Sequence, residues 1–103
     1  MNLTRKELQD IDAVFDALAH AVRRHILLVL HFRGGQMTAG DIASRFQCKW
    51  PTVTRHLKVL VDAGLIEVEK EGRERLYCLR HDRLLGVTSR WLAWFDKQRS
   101  AAG

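Results

Sequence analysis

The stretch from Met37 to Leu79 constrains this chain more than any other, because four local codes follow one another there without a gap. Thr38 stands where its side-chain oxygen can accept from the free N–H groups of a first helical turn, and Asp41, three residues on, gives a weaker form of the capping box. Ile42, Ala43 and Phe46 then fall on one helical face. After the short link Gln47-Cys48-Lys49 a second helix opens on Trp50-Pro51 and closes at Gly64, since proline suits a first turn and glycine a left-handed stop. The runs Leu65 to Lys70 and Arg75 to Leu79 alternate in character on either side of Glu71-Gly72-Arg73-Glu74, which predicts a hairpin with a four-residue tip.

Within the second helix, Val53, Leu57, Leu60 and Val61 keep helical spacing and should face a core. Thr52, Arg55, His56 and Lys58 then occupy the other side, with almost nothing apolar beside them. A helix lying in a DNA major groove needs such a surface, because base edges and phosphates are read by polar and cationic side chains. Lys70, Arg73 and Arg75 gather near the hairpin tip, where they can reach a phosphate backbone or the neighbouring minor groove, although Glu69, Glu71 and Glu74 dilute their charge. Helix, turn, recognition helix and wing in this order predict a mainly α fold with a small β-hairpin (α+β), a winged helix-turn-helix whose reading unit covers about 38–79.

The whole chain, 1–103, is read as one such domain. A chain this short buries a modest share of its surface, so association with a second copy would help it. A hydrophobic content of 47% is enough for a folded core rather than a disordered tail. The net charge of +5 and a pI of about 9.8 favour an anionic partner through counterion release. Placement says more than the total: before His20, Arg5 and Lys6 face Glu7, Asp10, Asp12 and Asp16, whereas from His20 to Ala63 seven arginines and lysines face only Asp41 and Asp62. The positive charge is concentrated around the reading unit. No apolar run approaches the roughly 20 residues of a membrane span, and the start lacks the apolar core of a signal peptide. A cytoplasmic protein with reduced Cys48 and Cys78 is expected.

The flanks predict how two copies would meet. Leu8, Ile11, Val14, Phe15 and Leu18 form a helical stripe over about 5–19, and a last helix over about 82–98 carries Trp91, Trp94 and Phe95 on more than one face. Exposed aromatic area of that kind marks an interface, with closure of the monomer core as the plainer alternative. Leu8, Ile11, Phe15, Trp91, Trp94 and Phe95 are therefore the expected dimer contacts.

The segment Ala17 to Leu27, the run Pro51-Thr52-Val53-Thr54-Arg55-His56-Leu57-Lys58-Val59-Leu60-Val61-Asp62-Ala63-Gly64-Leu65-Ile66 and the wing motif Glu71-Gly72-Arg73 resemble the ArsR/SmtB family of bacterial winged-helix repressors. The resemblance runs from about Asp12 to Phe95. It implies a homodimer on an inverted-repeat operator, usually released by a metal ion or another small signal. It also assigns Arg23 to a phosphate; a solvated helix-end charge is the other reading. Lys49-Trp50 depart from the family, which commonly carries Ser and Gln there, so a capping hydroxyl is missing.

The remaining DNA-facing candidates have quieter readings. Thr52 and Thr54 serve bases, phosphates or their own helix's carbonyls. Trp50 stacks on a sugar or thymine methyl, or packs. Lys49 and Lys58 are expected on phosphates. Neither familiar metal site of the family is present: the helix before the recognition helix has no cysteine, and His81-Asp82 has no helically spaced partner until Asp96. No metal and no cofactor is expected. Cys48 and Cys78 read as small buried hydrophobes, with Arg45 and Lys49 beside Cys48 leaving a redox role open. An unidentified small-molecule effector stays equally open. No phosphate loop or catalytic motif occurs, so an enzyme is not expected. The competing class is a winged-helix protein adaptor, which commonly loses the recognition-helix cations kept here. RNA binding would call for exposed aromatics on a sheet or a long basic arm.

Overall fold

The computed structural model describes residues 2–47 and 49–102, of which 97–102 by helical backbone alone. Five helices and three strands follow in the order α1 (Arg5–Leu18), α2 (Ala21–Phe32), β1 (Gln36–Thr38), α3 (Ala39–Ala43), α4 (Trp50–Asp62), β2 (Ile66–Glu71), β3 (Glu74–Leu79) and α5 (His81–Ala102). This is the expected winged helix-turn-helix, with α3 and α4 as the helix pair and β2–β3 as the wing.

Local sequence sets most boundaries. Thr38 accepts from the Asp41 N–H at 3.1 Å and starts α3. Pro51 lies in the first turn of α4. At the other end Gly64 has φ +78°, the Gly64 N–H donates to Val61 O at 2.9 Å and the Leu65 N–H to Leu60 O at 3.0 Å. These two bonds are the Schellman pattern, and Leu60 and Leu65, both fully buried, supply its apolar contact.

The wing is tighter than the sequence predicts. Glu71 pairs with Glu74, so only Gly72 and Arg73 remain in the loop, not four residues. A positive φ of +62° at Gly72 alone is the type II′ arrangement, whose twist matches the strands and lets the ladder run to the tip. A third strand, β1, lies on the far side of β3 in the order β1-β3-β2, with Met37 opposite Tyr77. Its three residues are too few to show alternation, so β1 has no signal of its own in the sequence.

The core gathers Ile11, Val14, Ala17, Ile26, Leu30, Ile42, Val53, Leu57, Leu60, Leu65 and Ile66. Ile11, a proposed dimer contact, is 7% exposed, so its surface is already covered within its own chain. The run Ile26 to Leu30 is buried only in part: Leu28 is exposed, as is Phe32 one turn later. Two arginines of α2 close the end of α1. Arg23 donates from Nε to Ala17 O at 2.7 Å and from Nη2 to Asp16 O at 3.1 Å, while Arg24 donates from Nη1 to Leu18 O at 2.7 Å. These carbonyls are among the last of α1, where regular helical partners run out, and Asp16 O also accepts from the Ala19 N–H at 3.2 Å.

Candidate nucleic-acid interface

α4 turns Val53, Leu57 and Leu60 inward. Its remaining faces hold every recognition-helix residue expected on DNA, but not in equivalent settings. Lys49, the N-cap residue, makes no side-chain cap bond, as the missing hydroxyl predicts. Trp50 is 54% exposed at the helix mouth, which favours contact with a partner over packing. Thr54 Oγ1 donates to the Trp50 carbonyl at 3.0 Å, so its hydroxyl hydrogen serves its own helix. Thr52 is half-buried. Lys58 is exposed and pairs with Asp62 at 2.9 Å across one turn. Arg55 is exposed and has neither ion pair nor hydrogen bond among the described residues.

His56 differs from its expected outward place. Its half-buried ring lies 4.4 Å from that of His20, and Arg23 Nη1 donates to its Nδ1 at 3.4 Å. His20 in turn accepts through Nδ1 from the Val22 N–H at 3.2 Å and thereby caps α2. The cause is placement: Leu57 must point inward, and the ring next to it follows the edge of the core toward the start of α2. Arg23, expected on a phosphate, has its guanidinium turned to α1 and His56. It is the junction of α1, α2 and α4.

Burial, then the charges of His20 and Arg23, push the His56 imidazole below its ordinary value. The folded state therefore prefers the neutral ring. The unfolded chain takes up a proton near pH 6.5, so the stability present above that pH is lost as pH falls toward the lower folded value. Thermal melts between pH 7.5 and 5.5 are expected to show falling stability, with a shallower fall in His56→Gln. An equal fall in the variant would move the effect to other groups.

The wing separates its charges by face. Strand alternation puts Lys70 opposite Arg75 on the side that carries Val68 and Tyr77, and puts Glu67, Glu69 and Glu71 on the side of Cys78. The carboxylates therefore dilute the tip less than their number implies. Lys70 and Arg75 are like charges directly across the ladder, an arrangement that costs free energy unless an anion lies against it. Arg73 and Arg75 line a cleft of about 460 Å³ together with Glu74, Tyr77, Trp50, Thr54 and the start of α3. One concave surface thus joins the mouth of α4 to the basic side of the wing.

The expected dimer contacts fall into two groups. Phe15, Trp91 and Phe95 form a stack of edge-on rings with centroids 4.9 and 4.8 Å apart, Phe15 half-buried and Phe95 57% exposed, and exposed Leu8 lies on α1. Trp94 points elsewhere, into a shallow groove with Leu3, Glu7 and Arg90. Of the cysteines, Cys48 lies outside the described residues. Burial and then Glu69, Glu67 and Glu71 raise the Cys78 thiol above its usual range, which works against thiolate chemistry there. Among the described residues no group of three metal-ligating side chains converges, and no helix is long and apolar enough to cross a membrane.

A proline-started helix presented beside a basic two-stranded wing defines a winged helix-turn-helix protein. A helix-turn-helix domain family matches residues 18–69. The transcriptional repressor SdpR of Bacillus subtilis is 41% identical over 66 residues, which cover 64% of this chain and 71% of that protein. An arsenical resistance operon repressor of Staphylococcus xylosus is 32% identical over 76 residues, 74% of this chain and 71% of that protein. Among solved structures, an ArsR family transcriptional regulator superposes with a TM-score of 0.81 over 97% of both chains at 28% identity. The chain belongs to the ArsR/SmtB family of winged helix-turn-helix transcriptional regulators.

Proposed function

We propose that this protein is a homodimeric repressor in the cytoplasm that reads an inverted-repeat operator, with α4 in the major groove and the wing on the adjoining backbone or minor groove. The observation that carries this reading is the single concave surface in which the exposed face of α4 meets the cationic side of the wing. Arg73 and Arg75, which line that surface, and Lys49, Arg55 and Lys70 on α4's first turns and the wing make no ion pair among the described residues, which leaves their charge available to phosphates and base edges. Lys49, Lys70, Arg73 and Arg75 take phosphates; Arg55 reads a base; Trp50 and Thr52 lie against the backbone at the helix mouth.

A DNA-binding titration against salt, on duplexes selected from random sequence and on an unrelated control of equal length, tests this. The expected result is tight binding to a two-fold symmetric site, with half-site centres about 34 Å apart and affinity falling steeply with salt. Weak, equal binding to both duplexes would replace the operator reading with the protein-adaptor one.

The dimer rests on the ring stack of α1 and α5 and the leucines beside it. Trp91→Ala is expected to shift the solution mass toward monomer. An unchanged mass would assign the ring to intramolecular packing between Phe15 and Phe95.

A further inference from the structure

A cavity outside the reading surface lies on the opposite side of α2, between that helix, the end of β3 and the start of α5. It has a volume of about 550 Å³, within the range of small-molecule sites. Leu27, Leu79 and Leu84 form its floor and walls, with Leu28 and Leu85 at its edge. Every ionisable group that lines it is basic: Arg24, His25 and His31 from α2, and His81 from α5. No carboxylate is among the described lining residues. Asp82, next in sequence to His81, is ion-paired with Arg80 at 2.9 Å.

At the mouth, His31 Nδ1 and His81 Nε2 are 3.1 Å apart. One ring must donate and the other accept, so the pair holds at most one extra charge while this bond lasts. The Phe32 ring lies against His31 at a centroid distance of 5.2 Å and adds no charge. A leucine-walled cavity with an exclusively basic rim is complementary to one kind of occupant, an apolar body carrying an anionic head.

We propose that this cavity binds an amphipathic organic anion, a medium-chain or aromatic carboxylate, with its apolar part among Leu27, Leu79 and Leu84 and its carboxylate accepting hydrogen bonds from Arg24 and the His31–His81 pair. The carboxylate favours the pair carrying its one extra proton over the neutral pair, so binding takes up a proton. Affinity for the anion therefore rises as pH falls from 8 to 6, whereas an uncharged ligand of equal length shows no such rise. Arg24, His25 and Asp82 are the other charged or titratable groups near the pair, and Asp82 is held ionised by Arg80 throughout this interval, its carboxyl lowered to about 2.

The experiment titrates the full chain with octanoate, octanol and octylamine, following amide resonances by NMR and heat by calorimetry, without DNA. Saturable shifts at Leu27, Leu79 and Leu84 are expected with octanoate, which binds roughly tenfold more tightly than octanol, as one charge-assisted hydrogen bond implies. The preference for octanoate grows between pH 8 and 6 and shrinks in His31→Gln, an exposed position whose variant should keep its fold. Equal affinity for octanol and octanoate overturns the proposal, as do shifts confined to Trp91 and Phe95. A response that disappears as protein concentration rises would mean that a second copy covers the cavity, and also overturns it.

Discussion

Replacing Arg23 with alanine is expected to lower the free energy of unfolding by about 2 to 3 kcal/mol, because hydrogen bonds from a charged donor contribute roughly 1.5 to 3 kcal/mol and this guanidinium makes two to helix-end carbonyls. The expected cost falls at or below the lower end of that sum, about 3 kcal/mol, because Arg23 is only half-buried and water partly replaces the lost donors. Arg24→Ala is the internal comparison: its one carbonyl bond is exposed, so the cost should remain below about 1 kcal/mol. Arg23→Lys should not restore the loss. A single ammonium cannot reach Ala17 O, Asp16 O and His56 Nδ1 with the fixed fork that the guanidinium provides. Urea unfolding monitored by circular dichroism separates the variants, and an unchanged m value would show that the denatured state is not the cause. The same substitution frees His56 and loosens the seat of α4, so operator affinity should fall together with stability. If Arg23→Ala leaves stability intact but reduces the salt slope of DNA binding by about one, the arginine instead serves a phosphate.

What the sequence made legible is local. Thr38, Pro51 and Gly64 each act on a backbone conformation within a few residues, and the inward spacing of Val53, Leu57 and Leu60 needs only a helical period. These positions gave the helix pair, the recognition helix and its limits. The two-residue wing loop was less legible, because Glu71 and Glu74 belong in a turn by composition and in strands only once the register to β3 is known. β1 depends wholly on pairing with β3 some forty residues later, and Met37 alone carries its buried side. Arg23 and His56 looked alike in sequence, two polar residues on helices near a DNA-reading unit. Their roles differ because α1 ends beside the start of α2, a tertiary fact that brings residues 17, 23 and 56 together. The wing's charge is hard to read from composition for a similar reason: counting Glu69 and Glu71 against Lys70 and Arg75 ignores that alternate residues face opposite ways. The family resemblance implies a phosphate role for Arg23, and in the structure its guanidinium bonds to Ala17 O, Asp16 O and His56 Nδ1.

Arg55→Ala is expected to cost about 1 to 3 kcal/mol of operator binding, roughly a five- to 150-fold loss, and to relax discrimination at one base pair in each half-site. The size follows from what surrounds it. Arg55 has no competing carboxylate among the described residues, so its fork of donors is available to a guanine edge without first breaking an ion pair. Lys58, on the same helix, must leave Asp62 to reach DNA, and its exposed pair is worth at most a few tenths of a kcal/mol to the fold. Lys58→Ala should therefore weaken all sequences slightly and equally, reducing the salt slope by about one at most. Asp62→Ala should do the opposite and tighten binding without changing preference, since it releases Lys58 and removes a negative charge. Competition titrations with single-base operator variants read all three. A uniform loss in Arg55→Ala would make that residue a phosphate contact, and selectivity would then have to come from Trp50, Thr52 and the deformability of the operator, because His56 is turned inward and the Thr54 hydroxyl is bonded to its own helix.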